Sequence, residues 1–431
     1  MSSQCSKVQT VVGNYRCLCQ MPQTKTETKR HGMRIGFFLD EWRDGGVPVF
    51  LDRLEKFLTA EGHQVFLFLA QPHPKRDPTS RRLYELVKAR LGERCVSLDL
   101  ISLPRAWRAP HFQQALFSCG IECLLINHYY HHIELISTFA TDIPLISTAH
   151  NDADCYYHEY LRSMYLVRAH VAVSQRIWEK SLQLTRPEAA HQIKHIPYGV
   201  DESAHRFQAM PQGPLRVIYS ARLDAVQKRC EDLVPVWKEY VKNGGNGELI
   251  ILGTGKHEAQ LRQGFREELE KGSVIMRGQL SSTEALDQMA QADVLLNLSN
   301  FEGLPQVVLE GTTLGLYPLL SDIESGHREI VEQLGMGTLC HVGDVGGFAR
   351  ELRQLESGLG ALRQQRQNLR DRALSYYSFK VCGKKYCEML QEIALITPVS
   401  RKADMPKRSL RQQIDRMRRW AQYRRHFGTH S

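Results

Sequence analysis

Between Asp293 and Glu310 the chain reads D-V-L-L-N-L-S-N-F-E-G-L-P-Q-V-V-L-E, and no other stretch constrains the fold as tightly. The run Val294 to Leu298, apolar but for Asn297, suits a parallel strand covered on both faces. Pro305 belongs at the first position of a following helix, where its missing N–H costs nothing. Gly303 lets a ligand come close to the backbone. A helix start aimed outward offers free amides to anions or hydroxyl oxygens, and Glu302 and Glu310 flank that start. Glycosidases use paired carboxylates about 5–9.5 Å apart across one bond. Glu310 lies about 7–8 Å beyond Pro305 along a helix axis, and Glu302 lies further back. The pair therefore suits two ends of one extended ligand, although a solvated loop glutamate and a helix-surface glutamate satisfy the same pattern.

The same alternation fills the rest of the chain. Met33–Leu39, Gln64–Leu69, Ile121–Asn127, Ile143–Thr148, Ala169–Ser174 and Ile193–Pro197 read as strands separated by helical or polar sequence. After the loop Asp40–Gly46, a first helix places Val49, Phe50, Leu54, Phe57 and Leu58 on one face. Gly45 and Gly46 sit at the mouth of that first turn. They do not form G-x-G-x-x-G, so a dinucleotide site is not supported, and a plain turn explains them equally. Ligands of open parallel sheets collect at the carboxyl ends of strands. His128, His131, His132 and His150 all fall there, but their spacing does not describe a metal site, and a polar cleft lining is expected instead.

A second series opens at Leu215–Ser220, after the linker Pro211–Pro214, and continues through Glu248–Leu252, Ser273–Gly278 and Leu316–Ser321. Arg222 and Lys228 stand at the first strand-to-helix turn of this half. A planar fork and a mobile point charge there suit a diphosphate, and two solvated surface cations are the plain alternative. Ser281 and Glu284 form a capping-box pattern. Phe379, Cys382, Tyr386, Met389, Leu390 and Ile393 form an apolar stripe at helical spacing.

Charge separates the ends from the body. The net charge is +9, of which residues 401–431 supply +8 and residues 1–32 supply +4, leaving −3 for 33–400. Residues 1–32 show neither an apolar leader nor a periodic pattern and are expected to be a mobile extension, with Met33 a candidate start. The tail 397–431 places Leu410, Ile414, Met417, Trp420 and Ala421 on one helical face bordered by arginines, which suits an anionic membrane surface through 407–427. A docked or disordered tail fits as well. No recognisable nucleic-acid module is present. The eleven cysteines include no C-x-x-C pair, so reduced thiols are expected.

Glu302 to Glu310, as E-G-L-P-Q-V-V-L-E, resembles the E-x7-E signature of retaining glycosyltransferases, most closely glycosyltransferase family 4. The resemblance runs through about 33–395 and takes in Gly45-Gly46, His150, Arg222 with Lys228, and Gly253-Thr254-Gly255. It implies an α/β chain with two Rossmann-like domains facing a cleft (GT-B), at 33–210 and 211–376, a crossover helix at 377–396 and the basic tail. It also implies roles. His150 and Glu302 would flank the reacting sugar, Arg222 and Lys228 would grip the donor phosphates, and Gly303 and Leu304 would position the sugar. Glu310 would hold the ribose, and Gly46 would approach phosphate or acceptor. Three departures stand out: Tyr198 for asparagine in Pro197-Tyr-Gly-Val-Asp201, Ala221 for glycine, and His327-Arg-Glu-Ile-Val331 without its proline. The activity implied is retaining transfer of a sugar from a nucleotide diphosphate sugar to an acceptor hydroxyl on a glycan or glycolipid, in cell-surface or lipopolysaccharide-type assembly. No metal or other cofactor is expected, since Arg222 and Lys228 would offset the leaving charge. The expected location is the cytoplasm or the inner face of a membrane. A non-catalytic polyanion- or membrane-binding protein acting through its tail is the other reading.

Overall fold

Two parallel sheets carry the chain in the computed structural model, which describes residues 32–42, 45–70, 78–127, 135, 143–154, 157, 164–202, 207 and 213–395. The expectations for residues 1–31, for His128, His131 and His132, for Pro211 and Gln212 of the linker, and for the tail 397–431 lie outside the described residues.

The first sheet comprises β1 (Arg34–Leu39), β2 (Gln64–Leu69), β3 (Cys95–Ser97), β4 (Cys123–Asn127), β5 (Leu145–Ala149), β6 (Ala169–Ala172) and β7 (Ile193–His195), in the order β3-β2-β1-β4-β5-β6-β7. The second comprises β8 (Arg216–Ser220), β9 (Glu248–Leu252), β10 (Val274–Gly278), β11 (Val294–Asn297), β12 (Tyr317–Ser321) and β13 (Thr338–Cys340), in the order β10-β9-β8-β11-β12-β13. Every residue of β4, β5 and β11 is buried, as strands covered on both faces require. Each sheet reverses its order at its first strand: β1 lies between β2 and β4, and β8 between β9 and β11. These reversals are the topological switch points at which open α/β sheets leave a crevice.

Sequence periodicity located the interior strands to within a residue or two but not the three-residue edge strands β3 and β13. The helix Gly46–Ala60 buries Pro48, Phe50, Leu51, Leu54, Glu55 and Leu58, so its inner face includes Leu51 and Glu55, while Val49 and Phe57 are only half-buried. Phe57 turns instead toward the helix Phe379–Leu395, where a Cβ on Gly383 would stand 2.4 Å from its ring. That last helix buries the expected stripe from Phe379 to Ile393. Each large apolar side chain so buried contributes about 1.5–3 kcal/mol. Backbone bonds Val200 N–H to Tyr377 O (2.6 Å) and Phe379 N–H to Val200 O (3.0 Å) fasten its start to the segment after β7. No helix among the described residues is long and apolar enough to cross a membrane.

Candidate active site

The loop after β8 and the loop after β11 meet at the second switch point. Lys228, in the first loop, pairs with Glu302 Oε1 in the second, and Ser299 Oγ–H donates to the same oxygen at 2.7 Å. Glu302 is 6% exposed. Burial alone would raise its pKa, but the Lys228 charge and hydrogen bond, with help from His327 and Ser299, hold the carboxyl below its ordinary value. His327 opens the helix His327–Leu334 and is fully buried. Its Nδ1–H donates to the Ser321 carbonyl at 2.7 Å, and burial, partly countered by the Glu302 charge, pushes its pKa down to about 4. Its ring is therefore neutral near pH 7, and Nε2 has no hydrogen-bond partner among the described residues.

Gly303 follows Glu302 directly and touches the first half. It forms a backbone bridge with Asn151, and a Cβ on Gly303 would lie 2.1 Å from the His150 carbonyl oxygen. Only glycine allows this approach. Ser325 Oγ–H donates to Gly303 O at 2.8 Å and lies 3.1 Å from Ser174 Oγ, and the Glu329 carboxylate accepts from Gln175 N–H at 2.7 Å, at the start of the helix Gln175–Leu184. A carboxylate at a helix N-terminus is favourably placed.

On the first half's side, His150 ends β5 and is 7% exposed. The Asn127 amide oxygen, 3.1 Å from His150 Nε2, can only accept, so Nε2 carries the proton. Nδ1 then accepts the Tyr198 hydroxyl at 2.6 Å. The ring stacks on Tyr198 and meets the edge of Phe50. Tyr198, which replaces the expected asparagine, thus fixes the His150 tautomer, while the histidine's backbone carbonyl faces Gly303.

Helix Gln306–Thr313 begins one residue later than expected, because Pro305 is its cap rather than its first residue. Gln306 Nε2–H donates to the Gly46 carbonyl, and Arg53, on helix Gly46–Ala60, pairs through Nη2 with Glu310 Oε1. Leu304 is buried beneath this junction at 3% exposure. Arg222 is exposed, and its Nη2 donates to Gln227 Oε1 at 2.9 Å. Gln227 in turn reaches the Phe301 carbonyl at 3.3 Å.

The structure therefore brings together Lys228, Glu302, Gly303 and the His150 backbone. It places Gly46 and Glu310 on a second crossing between the halves, and Arg222 on the rim. Sequence reasoning missed Arg53, Asn127 and His327 as site residues. Only Asn127, a polar residue ending an apolar strand, carried a readable signal. The sequence reading that no D-x-D triplet occurs, taken as fitting metal-independent catalysis, is wrong: Asp152-Ala153-Asp154 is one. Here Lys180 Nζ lies 3.3 Å from Asp152 and 3.2 Å from Asp154, and Tyr157 O–H donates to Asp152 at 2.7 Å.

Two family models tile the chain: "Glycosyltransferase Family 4" matches residues 44–204, and "Glycosyl transferases group 1" matches residues 200–374. The segment Glu302–Glu310 falls within the second match. The lipopolysaccharide 1,6-galactosyltransferase of Escherichia coli (strain K12) is 28% identical over 222 residues, 50% of this chain and 60% of its own length. The chain thus spans less than two thirds of that relative. The Anabaena Alr3699/HepE structure in complex with UDP superposes with a TM-score of 0.68 at 15% identity, covering 84% of this chain and all (100%) of that one. The apo lipopolysaccharide outer core galactosyltransferase WaaB gives 0.63 at 20% identity, with coverages of 84% and 100%. The chain thus has the GT-B fold, and its two halves match the models of two glycosyltransferase families.

Proposed function

We propose that the protein is a retaining glycosyltransferase that moves a sugar from a nucleotide diphosphate sugar to a hydroxyl of a lipopolysaccharide-type or other glycan acceptor, without a metal. One observation carries this reading: the buried Lys228–Glu302 pair stands at the second switch point, with Gly303 set directly against the His150 backbone of the first half. A lysine ammonium has three donors, so Lys228 can keep Glu302 while offering the others to a leaving diphosphate. Arg222, on the exposed rim, would reach the same phosphates. Glu302 and the backbone at Gly303 and Leu304 would hold the sugar under His150, and Glu310 would bind the ribose. The acceptor would approach from the first half, past Gly46. The names of the relatives support the glycan class, and the UDP complex of a fold neighbour supports a nucleotide donor.

The test is a panel of nucleotide sugars incubated with full-length protein, read by release of the nucleotide and by the anomeric configuration of the product. Turnover with retained configuration is expected. Thermal stabilisation by UDP or GDP should appear in wild type and vanish in Lys228→Ala. Absence of both turnover and nucleotide binding overturns the reading. Peripheral membrane association through 407–427 belongs to the same proposal and is tested separately: a chain ending at residue 400 should lose binding to anionic vesicles.

A further inference from the structure

Arg53 and Glu310 join the halves by one nitrogen and one oxygen only. Arg53 Nη2 pairs with Glu310 Oε1, while Arg53 Nη1 is buried with no hydrogen-bond partner among the described residues. Glu310 Oε2 has no hydrogen bond among them either. Both side chains are largely buried, at 11% and 14% exposure. A buried guanidinium N–H without an acceptor is costly and rare in native proteins. A carboxylate oxygen beside it is an acceptor still open. A bidentate pair would use both atoms of each group, and this pair does not.

The two open positions are complementary to one kind of ligand. Glu310 Oε2 can only accept, and Arg53 Nη1 can only donate. A vicinal diol satisfies both, because one hydroxyl donates to the carboxylate while its neighbour accepts from the guanidinium. The setting agrees. Gln306, at the first turn of the Glu310 helix, holds the Gly46 carbonyl at the first turn of the Arg53 helix. The two helix starts are thus fastened side by side at the carboxyl ends of β1 and β11.

We infer that Arg53 is a specificity-determining residue, contributed by the first half, that together with Glu310 recognises the vicinal diol of the donor. This rests on the reading that a nucleotide sugar binds here, and it adds to that reading a contact from the opposite half. The diol can be that of the ribose or that of the transferred sugar. UDP contains only the first, so it separates the two sources. Because the Arg53 nitrogen serves one hydroxyl and Glu310 the other, each residue governs discrimination at one of the two deoxy positions.

The experiment measures the affinity of full-length protein for UDP, 2′-deoxy-UDP and 3′-deoxy-UDP by calorimetry, and for UDP-galactose and UDP-glucose in parallel. If wild type favours GDP, the guanosine series replaces them. Wild type should prefer the ribonucleotide over at least one deoxy analogue by about tenfold or more, the scale of one lost hydrogen bond to a charged group. Arg53→Ala should weaken the ribonucleotide and bring the ratio close to one at one of the two deoxy positions while sparing the other, and Arg53→Lys should restore part of it. If Arg53→Ala instead weakens only the intact nucleotide sugars and leaves UDP unchanged, the diol belongs to the sugar and the inference stands with that source. If Arg53→Ala binds UDP and the sugars as wild type does, or more tightly, Arg53 is at most a clasp that competes for Glu310, and the inference is wrong. If wild type binds no nucleotide at all, the proposed function fails with it, an outcome visible before any variant is made.

Discussion

The two banks of the seam at Gly303 are built from different chemistry. On the second half's bank the buried groups are ionic: Lys228 against Glu302, with neutral His327 behind them. On the first half's bank Asn127, His150 and Tyr198 form one hydrogen-bonded chain beside the Phe50 ring. The ionic bank can answer a charged phosphate but depends on pH and on both partners being present. The hydrogen-bonded bank holds a backbone carbonyl in place. In the proposed reaction a cleft built this way would divide the work, with charge on one side and positioning opposite.

The largest break in that contrast is Lys228→Ala. It leaves Glu302 buried without its cation, a change that costs about 3–5 kcal/mol when the orphaned charge remains. In wild type the lowered Glu302 pKa stabilises the fold above the ordinary carboxylate range, about 4.3, and that contribution is lost as pH falls through the lowered value. Without Lys228 burial dominates and the folded pKa rises above the unfolded one. The deficit of the variant against wild type should then narrow as the pH is lowered toward 5. Thermal midpoints of both proteins from pH 8 to 5 check this sign. The double change Lys228→Met/Glu302→Leu sharpens it: stability should largely return, since apolar replacement of a buried pair is often neutral, but transfer should not.

A smaller effect on the same bank comes from His327. Its folded pKa of about 4 lies below the unfolded value near 6.5, so its contribution is fully present above pH 6.5 and drains away as the pH falls toward 4. The full loss is about 3 kcal/mol. His327→Asn, which can still donate to the Ser321 carbonyl, should flatten the stability profile between pH 6.5 and 4. An unchanged acid slope in that variant would mean that another group titrates there.

The sequence displayed the frame of both banks unevenly, for physical reasons. Fully buried strands such as β4, β5 and β11 announce themselves through continuous apolar runs, and the capping box at Ser281 was readable because both partners lie within one turn, where they bond at 2.8 and 3.3 Å. The edge strands β3 and β13 are too short to carry a period. Lys228 and Glu302 stood out at strand-to-helix turns and took their site roles from the family resemblance, yet their mutual pairing, 74 positions apart in sequence, could not be read. Arg53 was invisible: in Asp52-Arg-Leu-Glu-Lys56 it reads as one more charge on an amphipathic helix, and its partner lies 257 positions away. Tyr198 read only as a misfit in an otherwise familiar segment. Its purpose depends on the position of His150, which only the fold supplies.

Tyr198→Phe is the gentlest probe and the one that tests the hydrogen-bonded bank itself. The ring remains to pack on Phe50, whose centroid lies 4.8 Å away, so only the hydroxyl is lost. Removing a neutral donor from a buried acceptor costs about 1–3 kcal/mol, at the low end when water can enter. Burial holds the tyrosine pKa well above its ordinary value, so the hydroxyl keeps its proton throughout the accessible range. The hydroxyl itself therefore adds no titration of its own to the loss between pH 6 and pH 9. Turnover separates two roles for His150. If the histidine acts through its backbone carbonyl at Gly303, Tyr198→Phe should lower kcat only a few-fold, in step with the loosened ring. A drop of about a hundredfold, with the thermal midpoint barely moved, would instead place the imidazole tautomer in the chemistry, since only its Nδ1 has changed partner.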